Sequence, residues 1–134
     1  MARTIMVGAA QMGPIARDEP RSSAVARMVA LMESAQQRGC DLVVFPELAL
    51  TTFFPRWYEE DWNVVDRFFE THMPNEATQP LFEAARRLGV GFHLGYAELC
   101  VEGRNPAPLQ YGNHRRQARR YRGQVPQDPS AGTR

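Results

Sequence analysis

Apolar positions between residues 4 and 99 switch repeatedly between a two-residue and a helical period, and each switch marks an element. Thr4 to Ala10 (TIMVGAA) is a β-prone run that closes on a Gly13-Pro14 turn, and it predicts a first strand. From Pro20, suited to a first helical turn, to Arg38, the residues Val25, Met28, Val29, Leu31 and Met32 recur at helical spacing, with Gly39 as a stop. Asp41 to Phe45 (DLVVF) is too short and too uniformly apolar for a surface helix, and it predicts a second strand covered on both faces. After a break at Pro55 to Tyr58, Trp62, Val65, Phe68 and Phe69 form a second helical stripe. Pro80 to Leu88 forms a third helix, closed by Gly89. Val90 to Leu99 then alternates as a strand, with Gly91 and Gly95 inside it. Strands separated by helices predict an α/β layered fold, with Phe68, Phe69 and Phe82 in its core.

Length and composition narrow this picture. With 134 residues the chain can hold one small domain, so a fold needing more strands than these would be incomplete. Hydrophobic residues make up 43%, and no apolar run approaches the roughly 18 residues a membrane helix needs. Met1 to Ala10 lacks the long apolar core of a signal peptide, so the expected location is the cytoplasm, with Cys40 and Cys100 as reduced packing thiols. The formal charge of +1 conceals a break near Gly103, because the body carries −5 and residues 104–134 carry +6. All sixteen fixed cationic side chains are Arg, and there is no Lys. Pro106, Pro108, Pro126 and Pro129 interrupt the basic tail, whose apolar residues follow neither period, so it reads as disordered. Clustered Arg with Tyr111 and Tyr121 would suit a nucleic-acid arm, but no nucleic-acid-binding fold precedes them, and no nucleic-acid or membrane partner is expected.

One segment carries candidate chemistry. Phe45-Pro46-Glu47-Leu48 places a carboxylate just beyond the carboxyl end of a buried strand, where open α/β sheets present functional groups. Among Phe45, Leu48, Phe53 and Phe54, the Glu47 carboxyl would be partly desolvated and shifted toward neutrality, as suits a general base. Spacing alone leaves open a structural role for Glu47, pairing with an Arg or capping a turn. His72, His93 and His114 fall in no recognisable motif, and no metal or cofactor site is expected.

The string from Phe45 to Pro55 (FPELALTTFFP), continued by Arg56 and Trp57, closely resembles the Glu-bearing segment of N-carbamoyl-D-amino acid amidohydrolases in the nitrilase superfamily of carbon-nitrogen hydrolases. The opening VGAAQMGPIAR, the strand DLVVFPE, the helix PLFEAARRLGVGF and the strand LGYAEL agree with it, and the resemblance covers residues 1–103. It implies the N-terminal part of a four-layer α/β/β/α sandwich and a cofactor-free Glu-Lys-Cys mechanism. The Glu takes the Cys thiol proton, the thiolate attacks the carbamoyl carbon, and the Lys stabilises the oxyanion. Ammonia leaves, and water activated by the Glu then releases carbon dioxide and the D-amino acid. Of this triad only Glu47 carries over, since the chain has no Lys and neither Cys40 nor Cys100 stands in the family's Cys-bearing turn. The resemblance further implies a small-molecule N-carbamoyl amino acid substrate and a homo-oligomer for the intact family.

The tail can be read against the genetic code, taking the last two bases of each codon with the first base of the next. From Leu109 the shifted frame permits Phe-Asn-Thr-Ala-Ile, and from Gln117 it permits Lys-Arg-Gly-Asp-Ile-Val. From Gly123 it permits Gly-Lys-Tyr-Arg-Lys-Ile-His-Leu-Pro-Gly, which resembles the family's Lys-bearing segment. A single-base frameshift near codons 103–104 accounts for the charge break, the Pro and Arg excess and the missing Lys together. It divides the chain into a partial hydrolase domain, 1–103, and a tail, 104–134, and predicts that the chain is catalytically inactive.

Overall fold

The structure, a computed structural model, describes residues 3–99 and the backbone of residues 119–124. Strand β1 (Val7–Ala9) leads into helix α1 (Arg21–Gln37) and strand β2 (Leu42–Val44). A 3-10 turn at Phe54–Arg56 and a short helix α2 (Trp62–Asp66) precede helix α3 (Gln79–Leu88), strand β3 (Gly91–Leu99) and strand β4 (Arg119–Gln124). The strands form one sheet in the order β1-β2-β3-β4, the first three parallel and β4 antiparallel to β3. This is the mixed α/β fold that the alternating periods predicted.

The core follows from the register. Val43 pairs with Phe92, and both are buried with Phe45, Leu94 and Tyr96 against Val25, Met28 and Met32 of α1 and Leu81, Ala84 and Ala85 of α3. Phe82 meets Phe92 edge-on, with ring centroids 5.2 Å apart. Gly89, at φ 66°, takes the left-handed conformation that lets α3 end and β3 begin within two residues. A second cluster, of Leu48, Phe54, Phe69 and Ala97, sits beside the carboxyl-terminal half of β3, with Phe68 packed on it. Phe68, Phe69 and Phe82 therefore serve packing, divided between two clusters.

Three expectations change. β2 is not covered on both faces: strand side chains alternate, so Leu42 and Val44 point away from the helices and remain half-buried, with no second layer over them among the described residues. The second helical stripe stops at Asp66, because Glu70 joins the sheet, its N–H donating to Ala97 O at 2.8 Å and its carbonyl accepting from Leu99 N at 2.8 Å. The tail was expected to be irregular throughout, but residues 119–124 pair in register with Leu94 to Leu99. Cys100, His114 and the remainder of the tail lie outside the described residues.

Buried polar groups fix the segment between these clusters. The Glu70 carboxylate, 5% exposed, takes a close hydrogen bond from Arg21 Nε and one from Asn75 Nδ2 at 2.7 Å. Arg21 also donates to the Arg67 carbonyl at 2.6 Å, and Asn75 and Thr78 hydrogen-bond each other at the start of α3. One buried carboxylate thus links the start of α1, the edge of β3 and the turn before α3. Its hydrogen bonds meet the requirement for burying a charge.

Candidate active site

Glu47 stands where the sequence places it, in the turn Glu47 to Leu50 just past the carboxyl end of β2. The central sheet supplies its seat. Phe45 N–H donates to His93 O at 3.0 Å and Ala49 N–H donates to Gly95 O at 3.3 Å, so the chain on either side of Glu47 is hydrogen-bonded to β3. Gly95 lies directly beneath, where an added Cβ would stand 3.4 Å from the Glu47 Cα. Leu48 has φ 53°, a left-handed conformation uncommon for a branched residue, and its side chain is buried in the second cluster. A strained residue next to a strand-end carboxylate is the kind of backbone found at functional sites.

The surroundings of the carboxyl differ from expectation. Glu47 is exposed rather than partly desolvated. The four apolar neighbours expected to wall it turn elsewhere: Phe45 into the main core, Leu48 and Phe54 into the second cluster, and Phe53 toward solvent at 49% exposure. Among the described residues Glu47 has neither an ion pair nor a hydrogen bond from an Arg, so the structural pairing left open by spacing has no support there.

A hollow of about 190 Å³ opens beside Glu47, bounded by Met12, Ile15, Thr52, Phe53 and Arg56. It joins an acceptor carboxylate to a guanidinium donor, a hydroxyl and apolar walls, a mixture suited to a small polar substrate with an apolar part. Arg56 and Thr52 lie within the string that resembles the amidohydrolases, yet no spacing rule singles them out. Only the fold of residues 48–56 back over Glu47 brings them to it.

The remaining candidates stand apart. Cys40 is a free, half-buried thiol that precedes β2, while Glu47 follows it. At about 3.3 Å per extended residue the two are on the order of 15 Å apart, too far for proton transfer. His93 lies on the sheet face away from the helices, its Nδ1 buried without a hydrogen-bond partner among the described residues, and His72 is exposed beside Thr71. No group of three or more His, Cys, Asp or Glu able to hold a metal occurs among the described residues. No helix there is long and apolar enough to cross a membrane.

The Glu47 carboxylate stands past the carboxyl end of a parallel strand and is seated on the backbone of the next one, the position at which open α/β sheets present functional groups. The family model for carbon-nitrogen hydrolase matches residues 6–113, and the chain belongs to that family of enzymes acting on C–N bonds. The match covers every element from β1 to β3 and runs past Gly103.

Proposed function

We propose that the chain derives from an N-carbamoyl-D-amino acid hydrolase in which Glu47 is the general base, and that it is itself inactive because a frameshift near codons 103–104 replaced the segments carrying the Lys and the Cys. The observation that carries this reading is the segment Phe45 to Trp57. Its near letter-for-letter resemblance to the amidohydrolases coincides with the seat of Glu47 over Gly95 and with the hollow beside it. In the intact enzyme Glu47 would receive the thiol proton and later activate water. On this reading the segments that would close the site over the exposed Glu47 are those the frameshift replaced. The substrate would be a small N-carbamoyl amino acid, no cofactor would take part, and the enzyme would be a cytoplasmic homo-oligomer.

Resequencing the gene across codons 100–110 and reading onward beyond codon 134 tests this directly. A restored frame with a Lys and a Cys in family context should yield a protein that releases ammonia and D-amino acid from N-carbamoyl-D-amino acids. Glu47→Gln should lower kcat by about 100-fold or more, the usual scale for losing a general base. Turnover of simple amides but not carbamoyl amino acids by the restored protein would assign it to another branch of the superfamily. A second reading, a non-catalytic protein whose basic tail acquired a binding role, is favoured by one observation, the pairing of residues 119–124 with β3. Limited proteolysis separates the two, since an acquired role requires a protected tail and a frameshift product should be cut after Gly103.

A further inference from the structure

Two opposite charges, Glu47 and Arg56, line the same hollow of about 190 Å³, and they are not paired with each other. Both are exposed, and neither takes part in an ion pair among the described residues. A guanidinium on a long flexible stem is a ready partner for a carboxylate lining the same space. Arg56 is engaged elsewhere, with its guanidinium carbon 4.5 Å from the centroid of the Trp57 ring. That ring is itself held. Trp57 packs half-buried on the second cluster, and its backbone N–H donates to Phe54 O at 3.1 Å. The Arg17 guanidinium lies 5.4 Å from the same ring centroid and pairs with Glu59 at 2.9 Å.

An exposed cation–π contact and an exposed ion pair are worth similar, small amounts, so ordering decides between them. The ring is the next residue in the chain and is already fixed, whereas pairing with Glu47 would immobilise two long side chains in solvent. We propose that Trp57 is a positioning residue for the acid–base group: its ring holds Arg56 back from Glu47 and keeps the carboxylate oxygens open to a reacting proton. A guanidinium forked onto both oxygens would occupy the lone pairs that must take that proton, and would stabilise the anion against taking it. The functional half of this inference rests on Glu47 acting as the general base, and the geometric half does not.

Nuclear magnetic resonance of the full chain at low salt tests the geometry, observing the Nε–H and δ protons of Arg56, assigned by their loss in Arg56→Gln. In the parent, the δ protons should be displaced upfield by the Trp57 ring current, and Glu47→Gln should leave the Arg56 signals in place. Trp57→Leu keeps apolar bulk on the second cluster but offers no ring face. In that background Glu47→Gln should move the Nε–H resonance, and added salt should erase the response by screening the pair. Trp57→Phe returns a ring face and should return the indifference to residue 47, a rescue that a merely structural role for Trp57 would not give. A response to Glu47→Gln in the parent would overturn the proposal, as would its absence in Trp57→Leu. Should Trp57→Leu lose its fold by circular dichroism, the parent still decides, because ordinary δ-proton positions there would overturn the proposal by themselves. Failure of the general-base reading shows separately, since full turnover by a restored Glu47→Gln enzyme would remove that role and leave the resonance pattern unchanged.

Discussion

Leu48 sets two energies against each other. Its left-handed backbone costs about 1–2 kcal/mol relative to a glycine there, while its side chain is buried with Phe54, Phe69 and Ala97. Truncating a buried Leu costs about 2–5 kcal/mol, so packing wins. Leu48→Gly should therefore destabilise the chain by on the order of 2 kcal/mol in urea unfolding despite relieving the backbone, and a stabilised variant would refute this weighing. Glu19 offers a residue-level effect of pH. The Ser23 hydroxyl, the Ala16 amide and the Arg27 charge hold its carboxyl below the ordinary value of 4.5. Its folded value lies below its unfolded one, so its stabilising contribution is fully present above that ordinary value. The contribution is lost as pH falls through the lowered folded value. Thermal midpoints of the parent should drop more steeply on acidification through that window than those of Glu19→Gln, whereas parallel curves would remove Glu19 from the account. The position of Glu47 was legible from a strand followed by Pro-Glu. Its exposure was not, because that depends on which cluster each neighbouring phenylalanine joins, and local spacing does not encode the choice.

At the scale of elements, α1 begins with Arg21 in its first turn, where a positive charge opposes the helix dipole. The buried Glu70 carboxylate reverses the balance. Arg21→Ala would leave that carboxylate with Asn75 as its remaining described side-chain partner and should cost about 3 kcal/mol. A loss below about 1 kcal/mol in chemical denaturation would show that water replaces the guanidinium without penalty. α1 and α3 were readable to within a residue or two because proline and glycine punctuate them and their apolar stripes are long. β1 was read as seven residues and pairs over three, since β2 supplies partners only from Leu42 to Val44. α2 was read too long for a similar reason. A hydrogen bond between residues far apart in the chain draws Glu70 to β3, and no window of local sequence contains both partners.

For the molecule as a whole, the sheet is the exposed element. Among the described strands β1 forms an edge, and Ile5, Met6 and Val7 are 51%, 53% and 50% exposed with no charge among them to deter pairing. The face bearing Val7, Leu42 and Val44 continues this apolar surface. The chain should associate with rising concentration in sedimentation velocity, and Val7→Lys should shift it toward monomer. An unchanged distribution would place the association elsewhere. The layered α/β class could be read from the order of periods, but the open face of β2 among the described residues could not, because it depends on which distant residues pack against Leu42 and Val44.

Gly95 extends this dependence to protein engineering. It weakens β3 as a strand former, so a stability screen would tend to replace it with valine or isoleucine. The Cβ of such a residue would already touch the Glu47 backbone, and its branch methyls would press the turn off the sheet. Selection for a sturdier strand and selection for a working hydrolase would pull this one position in opposite directions. If the frame is restored as proposed, a stabilised library built from it should keep glycine at residue 95.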